Sequence, residues 1–183
     1  MTDVFTIGHS RHDIAAFVAL LQRHSIGLLA DVRRKPWSGR HPQFNRDRLA
    51  ESLRAEGIDY RHFEALGGYR ESAPGPSRNA GWRDGFLRAY ADHALTGAFA
   101  ASFADLAATA KRRRVAVMCA EADWRDCHRQ ILSDYLLAAG FAVRHIGPDG
   151  DVEPGRLAAS ACVEAPGRVV YPAQAPRQGT LDL

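Results

Sequence analysis

Residues 115–140 read VAVMCAEADWRDCHRQILSDYLLAAG, a strand pattern followed by a helix pattern. Residues 115–118 are apolar and predict a buried strand of a parallel sheet. Apolar residues at helical spacing follow from residue 131 to residue 136, and Gly140 is a typical end for that helix. Two cysteines, a glutamate, a histidine and an arginine stand between strand and helix. In open α/β sheets, ligands bind where a strand gives way to a helix.

The rest of the chain repeats this alternation of strand and helix patterns. Further strand-like segments occur at residues 5–8, 27–32, 58–63 and 141–146. Helical patterns occur at residues 14–24, 45–56, 82–95 and 98–111. This order predicts a single α/β domain with three layers, α/β/α, around a mostly parallel, Rossmann-like sheet. The hydrophobic periodicity weakens after residue 147. We therefore place the domain at residues 1–147 and a C-terminal extension with a flexible tail at residues 148–183.

The composition indicates a soluble globular protein and argues against a membrane-spanning or disulfide-rich one. The 183 residues, 46% of them hydrophobic, suffice for one domain with a core, and no apolar run reaches bilayer length. Three cysteines do not suggest a disulfide framework, and the N-terminus lacks a signal-peptide pattern. We therefore expect a soluble cytoplasmic protein. The net charge of +3 is small, so the position of the charges is more informative than their sum.

Polar residues concentrate directly after the predicted strands. Because parallel strands end at one edge of a sheet, these groups are expected to share one ligand-binding pocket. The expected ligand-binding residues are His9, Ser10, Asp31, Arg33, Arg40, His62 and Arg129. The expected catalytic residues are Glu121 and His128 as acid or base, and Cys119 and Cys127 as possible nucleophiles.

A cationic run follows the second strand, with Arg33 and Arg40 as the expected anion ligands. Arg34, Lys35, His41 and Arg46 belong to the same run, and Trp37 and Phe44 are interleaved with it. Arginines with aromatic residues suit phosphates and stacked bases. Tyr60, His62, Tyr69 and Trp82 are further candidates for stacking. Arg129 would either assist in binding the anion or orient a carboxylate.

The two cysteines allow three interpretations. Cys119 and Arg125 match the C-x5-R spacing of cysteine phosphatases and rhodaneses, in which the arginine holds an oxyanion. With Asp126 as N-cap, Cys127 and His128 would occupy the first turn of a helix, where the dipole favours a thiolate. Metal ligation is the third interpretation, with Cys119, Cys127, His128, His9 and His62 as possible ligands. Neither C-x2-C nor H-x3-H occurs among them, so we predict no metal and no cofactor.

The motifs also resemble a known family, the domain of unknown function 488. The residues that carry the resemblance are Thr6-Ile7-Gly8-His9-Ser10, Asp31-Val32-Arg33 with Pro36, Ser38, Arg40 and Phe44, Tyr60 with His62, Leu66-Gly67-Gly68, Met118-Cys119-Ala120-Glu121, and Cys127-His128-Arg129. The resemblance covers residues 4–146 in the same order. It implies a single α/β domain and no particular reaction. Its pattern has no arginine at the position of Arg125, which weighs against the C-x5-R interpretation.

The chain ends in Gln178-Gly179-Thr180-Leu181-Asp182-Leu183, a Q-x-x-L-x-L pattern. Gln178, Leu181 and Leu183 resemble the short motifs that dock on the bacterial DNA sliding clamp. We therefore expect a protein that binds or acts on a phosphate-bearing ligand, a nucleotide or nucleic acid. The alternatives are a non-catalytic nucleic-acid adaptor recruited by this tail, and a cysteine-dependent phosphatase or sulfurtransferase-like enzyme. The sequence does not predict the oligomeric state.

Overall fold

The computed structural model describes residues 2–72 and 75–173, which form a central six-stranded sheet, a small hairpin and five α-helices. The strands of the central sheet are β1 (Asp3–Gly8), β2 (Leu28–Asp31), β3 (Asp59–His62), β4 (Val115–Cys119), β5 (Ala142–Ile146) and β6 (Val152–Pro154). The helices are α1 (Ile14–Arg23), α2 (Arg46–Ala55), α3 (Gly85–His93), α4 (Gly97–Ala110) and α5 (Arg129–Ala138). The hairpin consists of β7 (Cys162–Ala165) and β8 (Arg168–Val170). None of the helices in these ranges has the length and apolarity that a membrane span needs.

The central sheet has the strand order β3-β2-β4-β1-β5-β6 and is parallel except for β6. Gly8 at the end of β1 pairs with Cys119 at the end of β4. Asp31 at the end of β2 pairs with Met118 on one side and His62 on the other. The carboxyl ends of these four strands therefore lie side by side, which places the polar residues that follow them along one edge.

Helices cover both faces of the sheet, so the predicted three-layer α/β fold is confirmed. All five residues of β4 are buried. Val115 and Val117 pack with the layer of α3, α4 and α5, whereas Ala116 and Met118 pack with α1 and α2. Successive side chains of a strand point to opposite faces, so a strand covered on both faces must be apolar throughout. This is the physical reason for the continuous apolar run in β4.

Asp13 caps α1, because its Oδ1 accepts the backbone N–H of Ala16 at 2.7 Å. The start of α5 differs from the sequence prediction. The helix α5 begins at Arg129, so Cys127 and His128 precede it instead of occupying its first turn. The reason is that the backbone N–H of Arg129 donates to the Sγ of Cys127 at 3.4 Å. The cysteine thus satisfies one of the free donors at the start of the helix.

The described part of the C-terminal extension packs onto the domain. The strand β6 pairs antiparallel with β5. Tyr171, which follows β8, is fully buried, and its hydroxyl donates to the Oδ2 of Asp134 at 2.8 Å. Residues 174–183 lie outside the described residues, and with them Gln178, Leu181 and Leu183. The flexible tail and its clamp-like motif therefore stay predictions.

The buried carboxyl of Asp134 should make the stability of the domain depend on pH. Burial raises its pKa from the ordinary value of 3.8 to about 6, although Tyr171 and the backbone N–H of Ala158 donate to it. The folded state therefore holds this proton more tightly than the unfolded chain. The resulting stability is present below the ordinary pKa and is lost as pH rises through about 6. Asp134→Asn cannot ionise and should gain up to about 3 kcal/mol in free energy of unfolding relative to the wild type over this range.

Urea denaturation at several pH values would measure this difference. Asp149→Asn is the matched control, because Asp149 is exposed and its replacement should shift the stability by a pH-independent amount. Parallel stability curves for wild type and Asp134→Asn between pH 4 and pH 7 would contradict the assignment.

Candidate functional site

A cleft of about 910 Å³ opens at the carboxyl edge of the sheet. Its walls come from the segments that follow β1, β2 and β4, from residues 68–71, from Phe86 of α3 and from His128. Of the residues predicted to form the site, six line this cleft: His9, Ser10, Arg33, Cys119, Glu121 and His128. Asp31 lies directly beneath it, fully buried. The structure thus brings together groups from three separate strand ends.

The lining of the cleft is predominantly cationic. Among the described residues, its charged side chains are Arg11, Arg33, Arg34, Lys35, Arg70, Glu71 and Glu121. Burial and the neighbouring charge of Arg34 lower the pKa of Arg70. A cation whose proton is destabilised by another cation lies in a region of positive potential. Such a region attracts an anionic ligand.

A buried ion pair fixes the turn that follows β2. The carboxylate of Asp31 accepts hydrogen bonds from the backbone N–H of Arg33 at 3.0 Å, from its Nε at 2.9 Å and from its Nη2 at 2.6 Å. The hydroxyl of Tyr60 adds a fourth bond at 2.7 Å. Burial lowers the pKa of Arg33, but the hydrogen bond and charge of Asp31 outweigh it, so the net shift is upward. Arg33 is therefore held mainly by Asp31, and only its Nη1, 3.4 Å from the Nε2 of His9, remains toward the ligand side.

The two predicted histidine ligands have different surroundings. The ring of His9 stacks on Phe44 with centroids 4.3 Å apart, and its Nδ1 donates to the carbonyl of Ser10 at 3.2 Å. Burial and the charge of Arg33 lower the pKa of His9 to about 4, so its ring is neutral at physiological pH. The Nε2 of His62 donates to the carbonyl of Arg33 at 2.7 Å, outside the lining of the cleft. His62 therefore supports the loop and does not face a ligand.

Arg40, the second expected anion ligand, is exposed and lies outside the cleft. The Oγ of Ser38 accepts the backbone N–H of His41 at 3.1 Å, and both of these residues line the cleft, so Arg40 lies in a turn at its rim. The assignment of Arg40 as an anion ligand stays a prediction. Arg34 and Lys35 occupy the place along the cleft that was expected of Arg40.

Two large aromatic side chains line the cleft and are open to solvent. Trp37 is 73% exposed and Tyr69 is 76% exposed. Tyr69 is supported from behind by Phe86, with ring centroids 5.5 Å apart in an edge-to-face arrangement. Of the other predicted stacking residues, Tyr60 is engaged with Asp31 and Trp82 packs on Tyr171. The stacking surface therefore belongs to the two loops that flank the cleft.

Both central cysteines are buried, free and adjacent. The Sγ of Cys119 is 2.9 Å from the Sγ of Cys127 and also contacts the carboxylate of Glu121. Burial raises the pKa of Cys119 well above its ordinary value. Burial opposes ionisation of Cys127 as well, but the hydrogen bond from Cys119 and the charges of His128 and Arg129 lower its pKa well below the ordinary value. Of the two cysteines, Cys119 is the one that lines the cleft.

The imidazole of His128 is oriented by the backbone. Its Nε2 lies 3.1 Å from the carbonyl of Val32, and a carbonyl can only accept, so Nε2 carries the proton. In the neutral ring the Nδ1 therefore holds the lone pair, and it lies 3.5 Å from the Sγ of Cys127. Gly68 lies against this nitrogen, and a Cβ at position 68 would come within 2.7 Å of it.

Arg129 holds backbone, not a carboxylate. Its side chain is buried, and its Nη2 donates to the carbonyl of Glu121 at 2.5 Å and to that of Ala122 at 3.2 Å. Gly8 approaches the same carbonyl so closely that a Cβ there would lie 1.8 Å from the oxygen of Glu121. Arg129 and Gly8 together fix the course of the chain after β4, and hence the position of Glu121.

The C-x5-R interpretation is wrong. Arg125 is exposed, lies outside the cleft and pairs with Glu153 at 2.9 Å and Asp123 at 3.3 Å. Its guanidinium also packs over the ring of Trp124 at 4.5 Å. These partners hold it away from Cys119, so the loop after β4 does not form the anion cradle that the spacing predicted.

Of the five possible metal ligands, the structure brings three together. One ligand atom each from Cys119, Cys127 and His128 lies within 4.8 Å of the other two. His9 and His62 are engaged elsewhere, with the carbonyls of Ser10 and Arg33. The spacing of these three residues along the chain matches no common metal-binding motif. They meet only because the start of α5 packs against the end of β4.

Five residues of the cleft lining were not predicted from the sequence: Arg11, Arg70, Glu71, Phe86 and Ala122. Arg70 is placed by its own loop, since its Nε donates to the carbonyl of Gly67 and its Nη2 to that of Glu64, both at 2.9 Å. The available signal was its position directly after Leu66-Gly67-Gly68 in a long loop rich in glycine and proline.

The Asp31–Arg33 pair should be essential for stability. Asp31→Ala leaves the guanidinium of Arg33 buried without its carboxylate and should lower the free energy of unfolding by about 3–5 kcal/mol. Asp105→Ala is the matched control, because its pair with Arg61 is exposed and such pairs contribute only about 0–1 kcal/mol. Denaturant unfolding of the two variants would measure both losses. Similar small losses in the two variants would contradict the structural role of Asp31.

Comparison with known proteins adds one result. No curated protein and no solved structure matches the chain. The family model described as "Domain of unknown function DUF488" matches residues 13–136, which is more than half of the 183 residues and includes β2, β3, β4 and most of α5. The segment around His9 lies outside the matched range. The chain therefore belongs to the DUF488 family.

Proposed function

We propose that this protein binds a phosphate-bearing ligand, a nucleotide or a short nucleic-acid strand, in the cleft at the carboxyl edge of its sheet and acts on it there. The observation that carries the proposal is the combination of cations and exposed aromatic rings in one cleft. Arg34, Lys35 and Arg70 line it together with Trp37 and Tyr69.

The cations are suited to phosphate because they are not neutralised. Arg34 and Lys35 are exposed, and neither forms an ion pair among residues 2–72 and 75–173. Arg70 donates to backbone carbonyls only, so its charge is also uncompensated within the described chain. Positive side chains that remain unpaired gain most from a multiply charged ligand.

The aromatic rings supply the second half of the recognition. A tryptophan and a tyrosine that are both about three-quarters exposed leave apolar surface in water that a base could cover. Stacking of one base on an aromatic side chain contributes about 1–3 kcal/mol and tolerates any base. A ligand with phosphates alone would use the cations and leave the rings uncovered, which favours a nucleotide or nucleic acid.

The floor of the cleft favours catalysis over a purely adaptor role. Glu121 and His128 both line a concave site, as a catalyst requires, and Cys119 at the end of β4 lines it with them. Glu121 is exposed and has no cationic partner among the described residues, and the Cys119 thiol contacts only its Oε2, so its other carboxylate oxygen is available to a ligand. We assign Glu121 the role of general acid or base.

Removing two cations of the cleft should weaken binding. We expect the double variant Arg34→Ala/Lys35→Ala to bind a fluorescent single-stranded oligonucleotide at least about tenfold more weakly, which corresponds to about 1.4 kcal/mol. The slope of log K against log salt should become shallower by about 1.4, because about two phosphate contacts are lost. Trp37→Ala should weaken binding without changing this slope. Fluorescence anisotropy at several salt concentrations measures all of these quantities.

The matched control is Lys111→Ala/Arg112→Ala, which removes the same charge from exposed positions after α4, near the start of β4. Its affinity should stay within about twofold of the wild type if the cleft, and not the net charge, is responsible. The proposal fails if both double variants lose affinity equally, or if the wild type binds neither oligonucleotides nor nucleoside triphosphates.

The catalytic role of Glu121 has its own test. The wild type is incubated with nucleoside mono- and triphosphates and with short oligonucleotides, and products are identified by mass spectrometry. Glu121→Gln should lower the rate of any conversion by about 10²-fold or more while changing affinity little, because it keeps the shape of the side chain and removes its basicity. Binding without conversion by the wild type would favour the adaptor alternative.

A further inference from the structure

We propose that Cys119, Cys127 and His128 form a site for a zinc ion, with the Sγ atoms of the two cysteines and the Nδ1 of His128 as ligands. The ligand geometry alone carries this inference, which stands whether or not the cleft binds a phosphate-bearing ligand. The three ligand atoms lie within 4.8 Å of one another, and all three residues are buried. Two thiolates and an imidazole are a ligand set that zinc takes in proteins.

The distance between imidazole and thiol fits a tetrahedral ion. The Nδ1 of His128 is 3.5 Å from the Sγ of Cys127. With zinc–sulfur and zinc–nitrogen bonds of about 2.3 and 2.0–2.1 Å, two ligands at the tetrahedral angle are about 3.5 Å apart. The His128 and Cys127 ligands therefore stand at the required separation without any movement.

The second nitrogen of His128 is arranged as in metal-bound histidines. Its Nε2 proton is donated to the carbonyl of Val32, which fixes the tautomer of the neutral ring and leaves Nδ1 facing the Sγ of Cys127. Zinc-ligating histidines almost always donate their other ring N–H to a carbonyl or carboxylate in this way.

The backbone leaves the site open on the side of the cleft. Gly68 borders the Nδ1 of His128 at a distance where a Cβ would intrude to 2.7 Å. Cys119, Gly68, His128 and Glu121 all line the cleft, so a fourth ligand position faces the space where a substrate would bind. Three protein ligands with one open position are the arrangement of catalytic zinc sites, whereas structural sites are closed by four.

The segment between the two cysteines is held rigidly. Arg129 binds the carbonyls of Glu121 and Ala122, and the backbone N–H of Arg129 binds the Sγ of Cys127. These bonds fix the second cysteine and the loop that follows the first. A preorganised set of ligands of this kind lowers the cost of metal binding.

The separation of the sulfurs distinguishes the metal from a disulfide. At 2.9 Å the sulfurs are too far apart for a covalent bond and closer than the about 3.8 Å of two thiolates on one tetrahedral zinc ion. Zinc binding requires the Sγ of Cys119 to move by somewhat less than 1 Å. A disulfide would make no use of the directed Nδ1 of His128 or of the carboxylate of Glu121, and for this reason we favour the metal.

A zinc ion with an open position binds water and makes it a nucleophile near neutral pH. Glu121, which stands beside Cys119 at the mouth of the site, is placed to accept a proton from that region. The class of reaction that follows is metal-assisted hydrolysis. If the proposed function also holds, the substrate would be the nucleotide or nucleic acid in the cleft.

The experiment uses the full chain, purified under reducing conditions and freed of metal by dialysis against a chelator. We expect it to take up one equivalent of Zn²⁺, measured by elemental analysis after desalting. With Co²⁺ it should develop a sulfur-to-cobalt charge-transfer band and the intense visible bands of a tetrahedral ion. Zn²⁺ should also protect Cys119 and Cys127 from alkylation in the wild type, whereas the exposed Cys162 should react at the same rate with and without metal.

Variants assign the ligands. Cys119→Ser, Cys127→Ser and His128→Ala should each weaken the affinity for Zn²⁺ by more than the about 10–100-fold loss expected for changing an outer hydrogen-bond partner. Cys162→Ser and Glu121→Gln should retain one equivalent. Gly68→Ala should weaken metal binding, because its methyl group blocks the Nδ1 of His128.

The wild-type measurements keep the inference falsifiable if a variant fails to fold. Failure to take up Zn²⁺, a cobalt spectrum without the sulfur band, or equal protection of Cys162 would each overturn it. Isolation of a Cys119–Cys127 disulfide that forms as readily in the presence of Zn²⁺ as in its absence would replace the metal by a redox pair. None of these measurements involves a nucleotide. Their outcome therefore does not depend on whether the cleft binds a phosphate-bearing ligand.

Discussion

The carboxylate of Asp31, buried at the end of β2, is the interaction on which the functional edge depends. It accepts four hydrogen bonds, three from Arg33 and one from Tyr60. A carboxylate without water needs this number of donors, and a buried guanidinium needs this partner. The same turn presents the carbonyl of Val32 to His128 and that of Arg33 to His62. One ion pair therefore orients both histidines and gives the cationic loop its starting direction.

Burial separates the charged residues of this edge into those that hold the loops in place and those that could bind a ligand. The buried cations, Arg33 and Arg129, are bound to a carboxylate or to backbone carbonyls and keep the loops in place. Within the part of the chain that the structure describes, the cations that line the cleft without an ion pair are Arg11, Arg34, Lys35 and Arg70. Burial makes a charge expensive unless it is fully bonded, so the most buried arginines are the least available for binding. The binding function proposed above therefore depends on the less buried neighbours of these two arginines.

The two thiols lie beneath the cleft, where β4 ends and α5 begins. Cys127 accepts the first free N–H of that helix, and Cys119 ends the central strand β4. Their contact depends on the packing of α5 across the end of β4, and the size of Gly8 permits the chain between them to pass β1. The chemistry of the site is thus coupled to the packing of the core: whatever loosens α5 would separate the two sulfurs and His128.

The sequence by itself determined the order of strands and helices, the three layers and the edge at which polar residues gather. The hydrophobic pattern along the chain depends only on neighbouring residues, and it identifies the strands and helices. Parallel strands that are covered on both faces must be apolar throughout, so their position in the fold can be predicted from that pattern. Only the tertiary structure decided which polar residues are buried and bonded within the protein and which ones face the cleft or the solvent. Arg33 and Arg40 stand in one cationic run, yet one is buried against Asp31 and the other faces solvent outside the cleft. Cys119, Cys127 and His128 have no metal-ligand spacing, yet they meet because a strand end and a helix start are packed together. Spacing along the chain limits which groups are near one another, but hydrogen bonds and burial, which depend on the whole fold, decide their partners.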